Sequence, residues 1–140
     1  MAKAILECQF CGTLNSVDLA KHDQGPKCAE CSKPFLVDRP IHLSETNFDK
    51  VIAGSEVPIV VDFYADWCGP CRAMAPMLDQ IAHDRAGALL IAKVNTDRSP
   101  TLSKRYEIKS IPYFARFEKG EKVGDLIGAV DAAAFEKFAA

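Results

Sequence analysis

Six cysteines fall in three pairs of one spacing: Cys8/Cys11 in "CQFCG", Cys28/Cys31 in "CAECS" and Cys68/Cys71 in "WCGPC". A C-x-x-C pair holds two sulfurs within reach of each other, which suits either half of a metal site or a dithiol–disulfide couple. Context separates the pairs. The first two are sixteen residues apart in a polar, turn-rich segment, so they present four thiolates on two turns, the donor set of a closed tetrahedral zinc site. Gly12 follows the first pair, and Gly25-Pro26 returns the chain toward the second. Residues 8–31 show almost no hydrophobic periodicity, so their folding free energy is expected to come from a bound metal rather than from a core. Two further redox pairs are the alternative reading. His22 lies between the pairs, but four cysteines already fill a tetrahedral site, and His22, His42 and His83 are read as surface histidines.

The third pair follows an apolar, β-branched run, "PIVVDFYA" (58–65), and opens a stretch with Met74, Met77, Leu78, Ile81 and Ala82 on one helical face. Cys68 thus falls at a strand-to-helix junction, where unpaired backbone N–H groups and the positive end of the helix dipole favour a thiolate. Cys71, one turn further in, is expected to be more buried and less ionised. The division of labour follows: Cys68 attacks a disulfide, and Cys71 resolves the mixed disulfide. Gly69 and Pro70 set the geometry of the pair, proline being at home in a first helical turn. Asp62 is an acid inside an apolar strand, where burial raises a carboxyl pKa. Spacing alone leaves it as either a hydrogen-bonded structural acid or a group that exchanges the proton of Cys71.

The elements that must position these groups are legible from pattern. The chain has 140 residues, 49% hydrophobic and 26% charged, with net charge −2, the composition of a soluble globular protein with no electrostatic case for nucleic acid or membrane. No apolar run approaches the roughly 18 residues of a span, and the apolar stretch before Glu7 is too short for a secretory signal core. The cytoplasm is therefore the expected compartment, where closely spaced cysteines bind metal or do redox chemistry rather than form a disulfide scaffold. A zinc-binding module over residues 1–35, a ribbon or knuckle, is joined by a linker near Phe35–Pro40 to a larger domain over residues 41–140. In that domain Ser44 is the expected cap of a helix bearing Phe48, Val51 and Ile52 and stopping at Gly54. Strand 58–65 follows, then a helix from Gly69 to near Gly87 with Pro76 expected to kink it, strand 88–97 and a short helix near 99–106. A hairpin turning at Lys119-Gly120 and a last helix capped by Asp131 complete the order β-α-β-α-β-α-β-β-α, an α/β mixed sheet with helices on both faces.

With that order, "WCGPC" after a buried strand, "KVNTD" (93–97), "SIP" (110–112), and "KG" (119–120) followed by "GA" (128–129) together resemble thioredoxins over roughly residues 41–140. The N-terminal cysteine pattern makes the whole chain similar to the zinc-containing bacterial thioredoxins, the thioredoxin 2 type. The resemblance implies the thioredoxin fold and a protein-disulfide reductase working through Cys68 and Cys71. It further implies one zinc and no bound redox cofactor, disulfide-containing proteins as substrates, recharging by an NADPH- and flavin-dependent thioredoxin reductase, and a monomer. It also implies that Asp62 shuttles the resolving proton with Lys93 nearby, that Pro112 is cis, and that Trp67, Ile111, Pro112 and Gly128 line a substrate groove. Tyr64, Asp66 and Tyr113 depart from the usual pattern, and Tyr113 is expected to reshape that groove. A disulfide isomerase or oxidase, and a zinc-dependent redox-sensing interaction module, are the competing functions.

Overall fold

The protein is described by a computed structural model, which covers residues 2–140. Strands β1 (Lys3–Glu7) and β2 (Leu14–Asp18) form an antiparallel hairpin, and a 3-10 turn (Leu19–Gln24) follows, capped by Asp18, which accepts from the Ala20 N–H at 3.0 Å. Next come β3 (Ile41–Leu43), α1 (Phe48–Gly54), β4 (Ile59–Tyr64), α2 (Gly69–Asp84), β5 (Leu90–Asn95), α3 (Pro100–Arg105), β6 (Tyr113–Glu118), β7 (Glu121–Ile127) and α4 (Ala132–Ala139). The five-stranded sheet has the order β3-β5-β4-β6-β7, with β3, β5 and β4 parallel and β6 and β7 antiparallel. This is the thioredoxin fold, a mixed central sheet flanked by helices. The two-residue turn between β6 and β7 has positive φ at both Lys119 (52°) and Gly120 (83°), the twist a tight hairpin needs.

Strand periodicity sorts the core. Ile59, Val61 and Phe63 of β4 face one side of the sheet, where α1, α3 and the N-terminal hairpin pack; Val60 faces the other, with Met74 and Leu78 of α2 and Phe135 of α4. Asp62 shares the Val60 side, so the buried acid points toward the layer that carries the third cysteine pair. β4 is the middle strand and every residue of it from Ile59 to Phe63 is buried, which is why its sequence reads as unbroken apolar residues around one aspartate.

Two expectations are corrected. Helix α1 begins at Phe48 rather than after Ser44: Asn47 takes the capping position and its Oδ1 accepts the Ser44 N–H at 2.7 Å, so the serine starts the turn before the helix. The N-terminal segment does have buried apolar residues. Leu6, Val17, Leu19, Phe35 and Val37 join the same core as Phe48 and Val51, because the hairpin docks on α1 instead of standing apart. Each such side chain contributes about 1.5–3 kcal/mol that a metal therefore need not supply. Close approach depends on glycine at two points: a Cβ on Gly54 would lie within 3.0 Å of Ile5 Cβ and Cγ1, and one on Gly87 would lie 2.7 Å from His22 Nδ1. His22 is accordingly half-buried against Gly87, while His42 and His83 are exposed as expected.

Candidate functional site

The backbone builds the third cysteine pair into a helix start. Cys68 has extended dihedrals (φ −80°, ψ 109°) and serves as the N-cap of α2, its sulfur accepting the Cys71 N–H at 3.2 Å. Pro70 occupies the first turn, where its missing N–H costs no hydrogen bond. Cys68 and Cys71 are joined by a disulfide, and each is 4% exposed, so the expected difference in burial is absent in this oxidised form. Cys68 Sγ also lies 3.9 Å from the Ile111 carbonyl oxygen, and the Ile111–Pro112 peptide is cis.

Around this pair the surface is apolar and open. Trp67 is 68% exposed and Ile127 is 64% exposed. Gly128 has φ of 90°, donates its N–H to the Pro112 carbonyl at 2.8 Å, and has open space where a Cβ would stand. Trp67, Cys68, Ile111, Pro112 and Gly128 thus meet at one face, though Trp67 and Ile111 are separated by over forty residues of chain. The Trp67 indole is held by Asp97, whose Oδ2 accepts its N–H at 2.9 Å. Asp97 closes the "KVNTD" motif, thirty residues after Trp67, and no local pattern in the sequence links the two. Tyr113 does not join the groove. It is buried on the other side of the sheet, its ring edge-on to Phe63 at 5.8 Å and its hydroxyl bonded to Asp125 and Lys122. Strand alternation on β6 turns it inward, away from Pro112.

Behind the pair, Asp62 is 1% exposed and its Oδ1 has no hydrogen-bond partner. Burial pushes its pKa up to about 7, opposed by the Lys93 ammonium on the neighbouring strand, where register places Lys93 beside Asp62. Lys93 Nζ sits 4.8 Å from the Tyr64 ring centre. A buried, unpartnered carboxyl poised near neutrality can take or give a proton at physiological pH.

The other four cysteines converge in a second cluster. The Sγ atoms of Cys8, Cys11, Cys28 and Cys31 all lie within 4.8 Å of one another, with Cys8···Cys31 and Cys11···Cys28 both 3.6 Å. A tetrahedral ion with Zn–S bonds near 2.3 Å requires sulfurs about 3.8 Å apart, so the donor set fits a metal ion. Two equivalent turns make it. The Cys8 N–H bonds the Thr13 carbonyl as the Cys28 N–H bonds that of Lys33, and the Gly12 N–H bonds the Cys8 carbonyl as the Ser32 N–H bonds that of Cys28. The residue after each second cysteine has positive φ, 79° at Gly12 and 65° at Ser32. Ser32 went unnoticed in the sequence because serine, unlike glycine, does not advertise that conformation, although its offset from Cys28 matches that of Gly12 from Cys8. Asn15 ties the turns together, donating to Cys28 Sγ at 3.4 Å and accepting the Ala29 N–H at 2.9 Å. The Cys31 N–H, against burial and helped by the Glu30 N–H and the Asn15 amide, pulls the Cys28 thiol down to about 6. Cys31 is pushed up to about 11: the Lys33 N–H opposes the rise, but burial and the sulfurs of Cys8, Cys11 and Cys28 outweigh it. Four crowded sulfurs cannot all ionise until a cation sits among them.

Comparison with known proteins places these features in a family. Residues 39–140 match the Thioredoxin family. Thioredoxin C-3 of Corynebacterium nephridii is 36% identical over 126 residues, spanning 90% of this chain and 86% of that protein. That aligned stretch is longer than residues 39–140, so it extends into the N-terminal segment. The chloroplastic M-type thioredoxin of Zea mays is 44% identical over 100 residues, 71% of this chain, and the chain spans only 60% of that protein's length. A solved mutant thioredoxin from Halobacterium salinarum NRC-1 superimposes with a TM-score of 0.67 at 28% identity, covering 75% of this chain and 91% of that one.

Proposed function

The chain belongs to the thioredoxin family, and on that premise we propose that it is a thiol–disulfide oxidoreductase that reduces protein disulfides through Cys68 and Cys71. The observation that carries this reading is the N-cap geometry: the sulfur of Cys68 accepts a backbone N–H at the positive end of a sixteen-residue helix, the arrangement that stabilises a thiolate. In the reduced protein the Cys68 thiolate attacks a partner disulfide, forming one S–S bond and releasing one partner thiolate. Cys71 then loses its proton to Asp62, and its sulfur attacks Cys68, reforming the intramolecular disulfide and freeing the second partner thiolate. Gly69 and Pro70 form the helix start that keeps the two sulfurs within bonding reach. Trp67, Ile111, Pro112 and Gly128 form the face on which an extended substrate peptide lies, the exposed Trp67 and Ile127 supplying apolar contact and Gly128 leaving room for its backbone. Disulfide-containing proteins are then the substrates, and an NADPH- and flavin-dependent thioredoxin reductase restores the dithiol.

In the same reading the N-terminal four-cysteine cluster holds one zinc ion, which makes the protein a zinc-containing thioredoxin of the thioredoxin 2 type. Support comes from the all-sulfur donor set, the spacing of the sulfurs and the paired turns that aim them inward. When bound, zinc neutralises the crowded thiolates and adds folding free energy to residues 8–34. All four sulfurs serve as ligands, so the site has no position for substrate and is structural or redox-responsive. Closely spaced cysteines that bind a metal suit a reducing compartment, and we place the protein in the cytoplasm.

Insulin-reduction turbidimetry with metal analysis tests both halves. The native protein is expected to carry one zinc per chain, and replacing Cys8, Cys11, Cys28 and Cys31 together by Ser should remove zinc while leaving reduction within several-fold of native. A native protein free of zinc would overturn the metal assignment. Loss of reduction in the quadruple variant, if it remains folded, would move the engine to the zinc cluster.

A further inference from the structure

Two residues of β4 compete for one ammonium. Asp62 and Tyr64 are two apart on the strand and so share its α2-facing side, where Tyr64 packs against the cluster of Ala65, Cys68 and Cys71. Register sets Lys93 of β5 directly beside Asp62 and one step diagonally from Tyr64, and its neighbours Ala92 and Val94 fill the opposite core, so Lys93 is on that same side. The stem emerges at Asp62, yet the head goes to the tyrosine: Lys93 Nζ stands over the Tyr64 ring, 4.8 Å from its centre, and Asp62 Oδ1 keeps no hydrogen-bond partner. Burial explains the choice. Asp62 is 1% exposed, so an ammonium in direct contact with it would give up its hydration, whereas half-buried Tyr64 offers the π face of its ring at the rim of that pocket. The end of β4 that carries the ring is itself fixed, because the Tyr64 carbonyl accepts the Thr96 N–H at 2.8 Å and the Thr96 hydroxyl at 3.1 Å.

We propose that Tyr64 is a positioning residue for the resolving step: its ring retains the Lys93 ammonium at the mouth of the Asp62 pocket, and that charge keeps Asp62 able to ionise when Cys71 must lose its proton. This rests on the reading of Asp62 as the acceptor of the Cys71 proton. Without the ring, the long flexible lysine stem follows its hydration into the cleft of about 480 Å³ beside it, where Asp38 and Asp79 offer carboxylates alongside Arg39, His42 and His83. Asp62 then loses the charge that opposes its burial. The other elements packed against Asp62 supply no substitute. Strand β6 sets Phe114 opposite it, and α2 and α4 bring Met74, Leu78 and Phe135 to that side of the sheet. Arg116, two residues along β6 on the same side, is engaged by Glu118 at 3.1 Å. The ring keeps one form throughout: burial, and then the Asp66 carboxylate, push the Tyr64 hydroxyl above its usual range, so it is neutral wherever Asp62 titrates.

NMR titration of the oxidised protein, following the Asp62 side-chain carboxyl carbon, reads this coupling while the disulfide removes Cys68 and Cys71 from the titration. Tyr64→Leu is expected to raise the Asp62 midpoint by roughly half a pH unit at low salt, and Tyr64→Phe, which keeps the ring face, to leave it at the native value. Lys93→Gln should raise it at least as far, and Tyr64→Leu added to Lys93→Gln should bring no further rise. In the reduced protein the pH profile of mixed-disulfide resolution should move with the midpoint. A midpoint that stays fixed or falls in Tyr64→Leu overturns the proposal. So does an equal shift with and without Lys93, since lost packing alone does not need the ammonium, or a shift in Tyr64→Phe as large as that in Tyr64→Leu. If the midpoints move as expected but the native protein reduces no disulfide, the proposed function fails and the role given to Tyr64 falls with it.

Discussion

The same four-residue spacing produces opposite outcomes in two parts of the molecule. In α2 the chain after Cys68 continues into a helix, so Cys71 returns one turn later on the same side and the two sulfurs of one pair meet each other. In the N-terminal turns the chain reverses after each second cysteine through positive φ at Gly12 and Ser32, and sulfurs of different pairs come together, Cys8 with Cys31 and Cys11 with Cys28 at 3.6 Å. A C-x-x-C spacing therefore brings cysteines near one another without deciding their partners. The backbone after the second cysteine decides it. A helix N-terminus supplies one thiolate-stabilising dipole for a sulfur that must react, whereas facing turns pool four sulfurs whose mutual repulsion calls for a cation.

The largest effect that tests this contrast is on turnover. Cys68→Ser should lower insulin reduction by at least ~1000-fold, and Cys71→Ser should accumulate covalent mixed disulfides with partner proteins, visible on a non-reducing gel. Trapping by the Cys68 variant in place of the Cys71 variant would reverse the roles.

Oxidation of the N-terminal cluster comes next. Two equivalents of hydrogen peroxide should convert four thiolates to two disulfides and water and release the metal, and peptide mapping should find the bonds across the turns, Cys8–Cys31 and Cys11–Cys28, because those sulfurs are 3.6 Å apart. Amide exchange should then rise at residues 8–13 and 27–34 more than along β1, which stays docked on α1. Bonds within each pair would show that the C-x-x-C spacing, and not the turn geometry, chooses partners.

A smaller, global effect belongs to Asp62. Its carboxyl is raised from an ordinary aspartate value to about 7, so its ionisation in the folded state is penalised. That penalty is absent below about pH 4, grows as the pH rises toward 7 and is complete above it, reaching roughly 4 kcal/mol as an upper estimate. Asp62→Asn should therefore raise the denaturation midpoint at pH 8 and leave it nearly unchanged at pH 4, while slowing turnover near pH 7 by about 10-fold to 100-fold. A variant no more stable at pH 8 than at pH 4, relative to native, would mean that Asp62 is satisfied by some polar partner. The smallest effect is at the docking contact: Gly54→Ala places a methyl group against Ile5 and should cost about 1–3 kcal/mol, read as lower thermal stability and faster exchange in β1. Unchanged exchange there would show that the hairpin does not depend on that contact.

Much of this was legible in order. The apolar run around Asp62, the cap at Cys68, the turn at Lys119-Gly120 and the cap at Asp131 are local signals, fixed by strand and helix periodicity and by backbone sterics within a few residues, so one-dimensional pattern suffices for them. The four-cysteine donor set was likewise visible, because its chemistry depends on residue type and count. What only the tertiary structure decided are relations between distant stretches. The hairpin's Leu6 and Val17 are core residues because the hairpin docks on α1, where Gly54 leaves room for Ile5, and Tyr113 is a core aromatic because the β6 register turns it toward Phe63. Asp97 meets Trp67 across thirty residues, and Lys93 lies beside Asp62 and Tyr64 because β5 inserts between two strands that precede it in sequence. Such contacts depend on strand order and register, which a crossover connection sets and which local sequence does not encode.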